Sequence, residues 1–169
     1  MSRLDSHIRQ KLAQRDSINL ASQLLDGEEG IIVEFGLSTG RSYSHFRERF
    51  PRQEIFCFDR VDITHPQSRP PAGHLFLGEI IDVLADPAIH ARFAKRVLLA
   101  HIDTGRGNLE NEALPELIMD RIQHWLKPGA LVLSDHALRL APAWQIDPVD
   151  TTGQVQHSDR FFVYRRRPA

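Results

Sequence analysis

Ile31-Ile32-Val33-Glu34-Phe35-Gly36-Leu37-Ser38-Thr39-Gly40-Arg41-Ser42 changes character twice along its length. It opens as an apolar, β-branched run, the composition of a buried strand. It breaks at Gly36-x-x-x-Gly40, where the backbone can turn with no Cβ in the way. Beyond the turn, Ser42 to Phe50 carries Tyr43, Phe46 and Phe50 on one helical face. Strand, glycine turn and helix form the first half of a nucleotide-binding βαβ unit. The glycine spacing narrows the ligand. Ser38 stands where a dinucleotide fingerprint needs its second glycine, which disfavours NAD. A phosphate-binding P-loop has four residues between its glycines and then Lys, whereas this turn has three and then Arg41, which disfavours ATP and GTP.

Outward from this unit, strands and helices alternate. Upstream, residues 2–26 form a helical segment with Leu4, Ile8, Leu12, Ile18, Ala21, Leu24 and Leu25 as its apolar stripe. Asp16-Ser17 offers a cap and a break into two helices, and Gly27 offers a C-terminal stop. Downstream, Pro51 stops the second helix and Glu54 to Phe58 is a second strand ending at Asp59. An acid at the end of the second strand, about 20 residues past the glycine turn, is placed to accept hydrogen bonds from a ribose. Residues 61–73 contain Pro66, Pro70 and Pro71 and read as a loop. A third strand over residues 74–77 runs into Gly78-Glu79-Ile80, and residues 80–95 form a helix or a pair of turns. Residues 96–103 are a fourth strand, apolar enough to be buried on both faces of a parallel sheet. Gly105-Arg106-Gly107-Asn108 is a loop that could border the substrate, and a helix follows over residues 109–125. Lys127-Pro128-Gly129 closes that helix before a fifth strand over residues 130–135. Residues 143–146 and 160–164, separated by Thr151-Thr152-Gly153, suggest a closing antiparallel pair.

The chain has 169 residues, of which 41% are hydrophobic and 25% charged, enough for one domain with a real core. A net charge of −1 gives no overall attraction to nucleic acid or to an anionic membrane. Arg165-Arg166-Arg167 reads as a solvated tail. Cys57 is the only cysteine, lies in an apolar run and reads as an inert buried thiol. There is no signal-peptide pattern and no run of membrane-spanning length, so a cytoplasmic protein is expected.

Glu34-x-Gly36-x-x-x-Gly40 resembles the first motif of the class I S-adenosylmethionine-dependent methyltransferases. Leu-Lys-Pro-Gly-Ala-Leu-Val-Leu over residues 126–133 and the closing strand pair also resemble that family. Phe58-Asp59-Arg60 and Gly40-Arg41-Ser42-Tyr43 are similar to phrases of a small bacterial group of stand-alone members. The resemblance covers nearly the whole chain. It implies an α/β fold: a Rossmann-like, doubly wound, mostly parallel seven-stranded sheet with helices on both faces and the last strand pair antiparallel. Residues 1–169 would then be a single methyltransferase-like domain with 1–26 as its N-terminal helical segment. The implied cofactor is S-adenosyl-L-methionine. Glu34, Phe35, Gly36, Ser38, Gly40 and Ser42 would cradle its methionine end, Glu34 at the amino group. Asp59 and Arg60 would hold the ribose, and Gly78, Glu79 and Ile80 the adenine. Asp103, at the tip of the fourth strand where ligands of such sheets bind, is a further candidate cofactor contact. In this family a preceding helix covers the cofactor, so Gln14, Arg15 or Asp16 could face the methionine carboxylate, with a solvated surface helix as the simpler reading.

The catalytic candidates are strand-tip residues. A general base serves a hydroxyl or amine acceptor, and His101, Asp103, Asp135 and His136 are available. His101 lies inside its strand and reads as a satisfied core histidine, whereas His136 sits at a strand tip; Asp103 and His136 are the expected catalytic residues. Metal-dependent small-molecule O-methyltransferases place Asp, then Asp-Asn, at these tips. Here the last position is His136, and a hard cation prefers oxygen, so no metal is expected. Asp103-Thr104-Gly105 replaces the Asn/Asp-Pro-Pro-Tyr motif of exocyclic-amine methylation, which argues against that chemistry. The expected acceptor is a small molecule, with no nucleic acid and no membrane partner; a homo-oligomer is compatible with the sequence. The alternatives are a non-catalytic S-adenosylmethionine- or nucleoside-binding regulatory domain and, behind it, an NAD-dependent oxidoreductase.

Overall fold

The structure is a computed structural model that describes residues 2–105 and 112–168. Helix α1 (Arg3–Leu24) is followed by β1 (Ile31–Phe35), α2 (Arg41–Arg49), β2 (Ile55–Asp59), β3 (Leu75–Leu77), α3 (Ile80–Val83) and α4 (Pro87–Phe93). Then come β4 (Val97–Ile102), α5 (Leu114–Ile122), β5 (Leu126–Ser134), β6 (Ile146–Pro148) and β7 (Phe162–Arg166). The sheet has seven strands in the order β3-β2-β1-β4-β5-β7-β6. All neighbours are parallel up to β5; β7 runs antiparallel to both β5 and β6. Chain order reverses between β1 and β4, the kind of switch point outside which α/β sheets bind ligands.

Strand alternation divides the interior into two layers. Ile31, Val33, Phe35, Phe56, Phe58, Ala100 and Ile102 pack toward α3, α4 and α5, where Trp125 and Phe93 fill the layer. Ile32, Ile55, Cys57, Leu99, Leu131 and Leu133 pack toward α1 and α2, against Ala13, Ile18, Ala21 and Phe46. Glu34 and His101 share the parity of this second set and are cross-strand partners, with Cys57 opposite Glu34 on the other side. A polar row therefore crosses an otherwise apolar sheet face beside the glycine turn.

Several expectations are corrected. The first helix does not break at Asp16-Ser17. Ser2 caps it in a reciprocal box with Asp5, and Asp16 instead accepts from Arg15 and from the Gln156 amide. The start of the helix expected from Leu109 falls partly on residues 109–111, outside the described residues; α5 begins at Leu114, where Pro115 occupies a first-turn position that suits proline. Lys127-Pro128-Gly129 does not end a helix. A single 3-10 turn over Gln123–Trp125 does so, and β5 already starts at Leu126 with an irregularity in its pairing to β4. The closing strands lie slightly later than expected, because Pro142–Trp144 is a 3-10 turn. Arg165-Arg166-Arg167 is not a solvated tail. Arg165 and Arg166 belong to β7, Arg166 donates to the Trp144 carbonyl, and Arg167 makes a two-point pair with Asp147 at 2.8 and 2.7 Å. Among the described residues, no helix is long and apolar enough to cross a membrane.

Cys57 is fully buried, and burial followed by the neighbouring Glu34 carboxyl pushes its thiol well above the ordinary range. The native protein is therefore expected to resist a thiol reagent at pH 8 and to react at one site in denaturant; rapid labelling of native protein would contradict this placement.

Candidate active site

A cleft of about 470 Å³ opens at the carboxyl ends of β1, β2 and β4. The glycine turn forms one wall. Gly36 has φ +92°, and a Cβ there would lie 2.1 Å from the Asp103 carbonyl oxygen. Its own amide donates to the Phe58 carbonyl at 2.9 Å, and the Asp103 amide donates to the Phe35 carbonyl at 2.9 Å. The absence of a side chain thus lets the ends of β1 and β4 meet. Ser38 takes up a left-handed φ of +50° and donates its amide to Asp59 Oδ2 at 2.7 Å. Asp59 Oδ1 accepts from the Arg60 amide at 2.6 Å. Two backbone donors fix the Asp59 carboxylate while lone pairs on both oxygens stay available.

Of the residues singled out from the sequence, Gly36, Ser38, Asp59, Arg60, Glu79, Ile80 and Asp103 all line this cleft. Glu79 is exposed and makes no capping bond to α3. Other residues singled out lie elsewhere. Phe35 stacks on Phe58 in the core. Gly40 packs against Thr64 and Ser68, and Gly78 sits at the end of β3. The Glu34 side chain is wholly buried behind the turn, where Ser42 Oγ donates to it at 2.5 Å and Cys57 Sγ at 3.7 Å. Of the expected substrate loop, residues 106–108 lie outside the described residues.

Lys11 is a lining residue that the sequence reading missed. Its ammonium donates to Asp103 Oδ2 at 3.1 Å and to Gln14 Oε1 at 2.8 Å. Gln14 donates to Asp103 Oδ2 at 2.8 Å and, with its second N–H, to His101 Nε2 at 3.0 Å. Gln14 thus serves a strand-tip acid and a core histidine, and Arg15 and Asp16 bond each other. With His101 Nε2 accepting, the ring proton belongs on Nδ1, which faces Glu34 Oε1 at 3.4 Å without hydrogen-bond alignment. The His101 ring is stacked on Phe161 and met edge-on by Phe46. The available signal was spacing: Lys11 and Gln14 are three apart and share a helix face.

Burial would push the Asp103 carboxyl up, but the Lys11 charge, then His101 and the bonds from Lys11 and Gln14, bring it below its ordinary value. Asp135, at the neighbouring tip, moves the other way. Burial and the Asp103 charge raise it, against His136 and the Gly105 amide. Its Oδ2 accepts from that amide at 2.9 Å, and its Oδ1 accepts from His136 Nδ1 at 2.9 Å. This bond fixes the tautomer and leaves the His136 Nε2 lone pair turned away from Asp135. Among the described residues, no group of three or more His, Cys, Asp or Glu side chains is placed to hold a metal ion.

A family model described as S-adenosyl-L-methionine methyltransferase matches residues 1–166. An S-adenosyl-L-methionine methyl transferase from Silicibacter pomeroyi DSS-3 shares 32% identity, with 98% of this chain and 99% of that one covered at a TM-score of 0.87. The antibiotic-resistance methyltransferase Kmr shares the fold at 14% identity, with coverage of 92% and 93% and a TM-score of 0.52. MycE, the methyltransferase of the mycinamycin biosynthetic pathway solved with Mg and SAH, shares the fold at 12% identity, with coverage of 94% and 48% and a TM-score of 0.57. Among curated proteins, none matches the chain.

Proposed function

Because the chain belongs to the S-adenosyl-L-methionine methyltransferase family, and so is an enzyme that uses this cofactor, we propose that it methylates a small molecule, with the cofactor held in the cleft above β1, β2 and β4. The single observation that carries this placement is the cleft's lining: Asp59, Glu79 and Asp103 around one cavity, with Val61, Ile63 and Ile80 between them. Carboxylates suit ribose hydroxyls and a cationic amino-acid end, and the apolar side chains suit a flat base. The chemistry of this set therefore fits S-adenosylmethionine.

When bound, the cofactor supplies an activated methyl on its sulfonium. The chain's own residues bind and orient. Asp59, braced by the Ser38 and Arg60 amides, accepts from the ribose. Glu79 and Ile80 border the adenine. Asp103, kept ionised by Lys11 and Gln14, faces the amino end; a carboxylate so strongly held is a poor base, and this favours binding over proton transfer. His136, oriented by Asp135, offers Nε2 to the proton that a hydroxyl or amine acceptor releases. Glu34 acts from behind the turn, through Ser42. Alignment of acceptor and methyl accounts for most of the rate in this reading. Residues 1–169 act as one domain. The net charge of −1 supports a small acceptor over nucleic acid.

Calorimetric titration with S-adenosylhomocysteine tests the placement. Wild type is expected to bind. Asp59→Ala is expected to bind at least about tenfold more weakly, roughly 1.4 kcal/mol. Unchanged affinity in Asp59→Ala would place the cofactor elsewhere.

A further inference from the structure

A second cavity, of about 530 Å³, lies between the N-terminal half of α1 and the start of α2, and Lys11 belongs to both cavities. Among the described residues, its wall carries Lys11, Arg15 and Arg41 and not one Asp or Glu, in a chain whose net charge is −1. The three cations differ in what already occupies them. Lys11 is held by Asp103 and Gln14. Arg15 places Nε and one terminal nitrogen on a single Asp16 oxygen, at 2.9 and 2.7 Å, with its other terminal nitrogen unused there. Arg41, the first residue of α2, has no ion-pair or hydrogen-bond partner among the described residues. Burial and then the Arg49 charge lower His45 from its ordinary value. Beside the cations and the polar His7, Gln14, Ser42 and His45, the wall carries three aliphatic side chains, Ile8 (47% exposed), Leu12 and Ile18. Such a wall suits a ligand with an anionic head and an apolar body.

We propose that this groove holds the methyl acceptor, and that the acceptor is a small organic acid. Its carboxylate or phosphate meets Arg41 and Arg15. Its apolar body lies on Ile8, Leu12 and Ile18, and its reacting end passes Lys11 into the cofactor cleft. The inference rests on the cleft being the cofactor's, since a methyltransferase needs a second ligand beside the first. A groove floored by three aliphatic side chains favours a small acid over a polynucleotide, which would call for stacking aromatics.

The test is calorimetric titration of the full chain, first saturated with S-adenosylhomocysteine, with octanoate and octyl phosphate, and with octylamine as the control. Either acid is expected to bind and the amine not. Arg41→Ala is expected to weaken acid binding about tenfold or more while S-adenosylhomocysteine affinity holds, and Arg41→Lys to keep part of it. Equal binding of octylamine, acid binding unchanged in an Arg15→Ala/Arg41→Ala variant, or loss of acid binding on saturation with S-adenosylhomocysteine would overturn the assignment. Displacement of bound acid by a short single-stranded RNA would also overturn it and make the groove a nucleic-acid surface. If S-adenosylhomocysteine itself does not bind, the cofactor placement fails; if it binds and neither acid does, only the groove assignment fails.

Discussion

Gly36→Ala is expected to destabilise the protein by about 3–5 kcal/mol, from left-handed backbone strain plus overpacking, and to lower S-adenosylhomocysteine affinity by about a hundredfold or more. Two observations set the size. The residue has φ +92°, where a Cβ is strained, and that Cβ would stand 2.1 Å from the Asp103 carbonyl oxygen. Backbone cannot rotate away as a side chain can, so the ends of β1 and β4 must separate. That movement carries Asp103 off Lys11 and Gln14 and opens the wall of the cleft. Gly153→Ala is the control: φ is +73°, but nothing lies within 4 Å, so the cost is about 1 kcal/mol. Urea denaturation of both variants with parallel titrations separates strain from contact. Near-native stability and binding in Gly36→Ala would remove the close approach from the account of the site.

The same glycine shows why much of the fold was legible in the sequence. Buried parallel strands are continuous apolar runs, and glycine marks the turn that follows, so local composition reports β1, β2, β4 and β5 directly. Residues at strand tips inherit their place from the topology, which is how Asp59 and Asp103 could be singled out in advance, while Glu79 came from the family resemblance; all three line the cleft. What stayed hidden depends on packing between distant segments. Lys11 reads as one more charged residue on a helix until α1 lies across the tip of β4. Glu34 reads as a cofactor contact, but strand parity points it at His101 and away from the cleft. Arg166 and Arg167 read as a tail because their acceptors, the Trp144 carbonyl and Asp147, lie about 20 residues back along the chain, and the Arg165 acceptor, the Leu24 carbonyl, lies farther back still. Pro115 was also a local signal passed over, since proline belongs in the first turn of a helix and not in its middle.

Gln14→Leu is expected to cost about 2–4 kcal/mol at pH 7, far more than a surface helix substitution. The Gln14 amide is fully used: Oε1 accepts from Lys11, and the two N–H groups donate to Asp103 and His101. Leucine fills similar space and supplies none of these bonds. His101 Nε2, buried beneath Phe46 and Phe161, is left without a donor, and Asp103 loses one of the two donors that hold it ionised. The pH dependence identifies the mechanism. In wild type the folded Asp103 carboxyl lies below its ordinary value, so its contribution is present above the unfolded value of about 4 and fades as pH falls through the folded one. In Gln14→Leu one opposing contribution is gone, burial weighs more heavily, and the carboxyl moves up. The stability gap between the two proteins should therefore be widest near neutrality and shrink below about pH 4, where a protonated Asp103 no longer needs the Gln14 amide to stabilise its charge. Asp135 shifts the opposite way, but it does so in both proteins and largely cancels from the difference. Urea midpoints measured from pH 7 to pH 3 decide the matter. A gap that stays constant with pH would mean that Gln14 acts only through packing and the His101 bond, and that Asp103 does not depend on it.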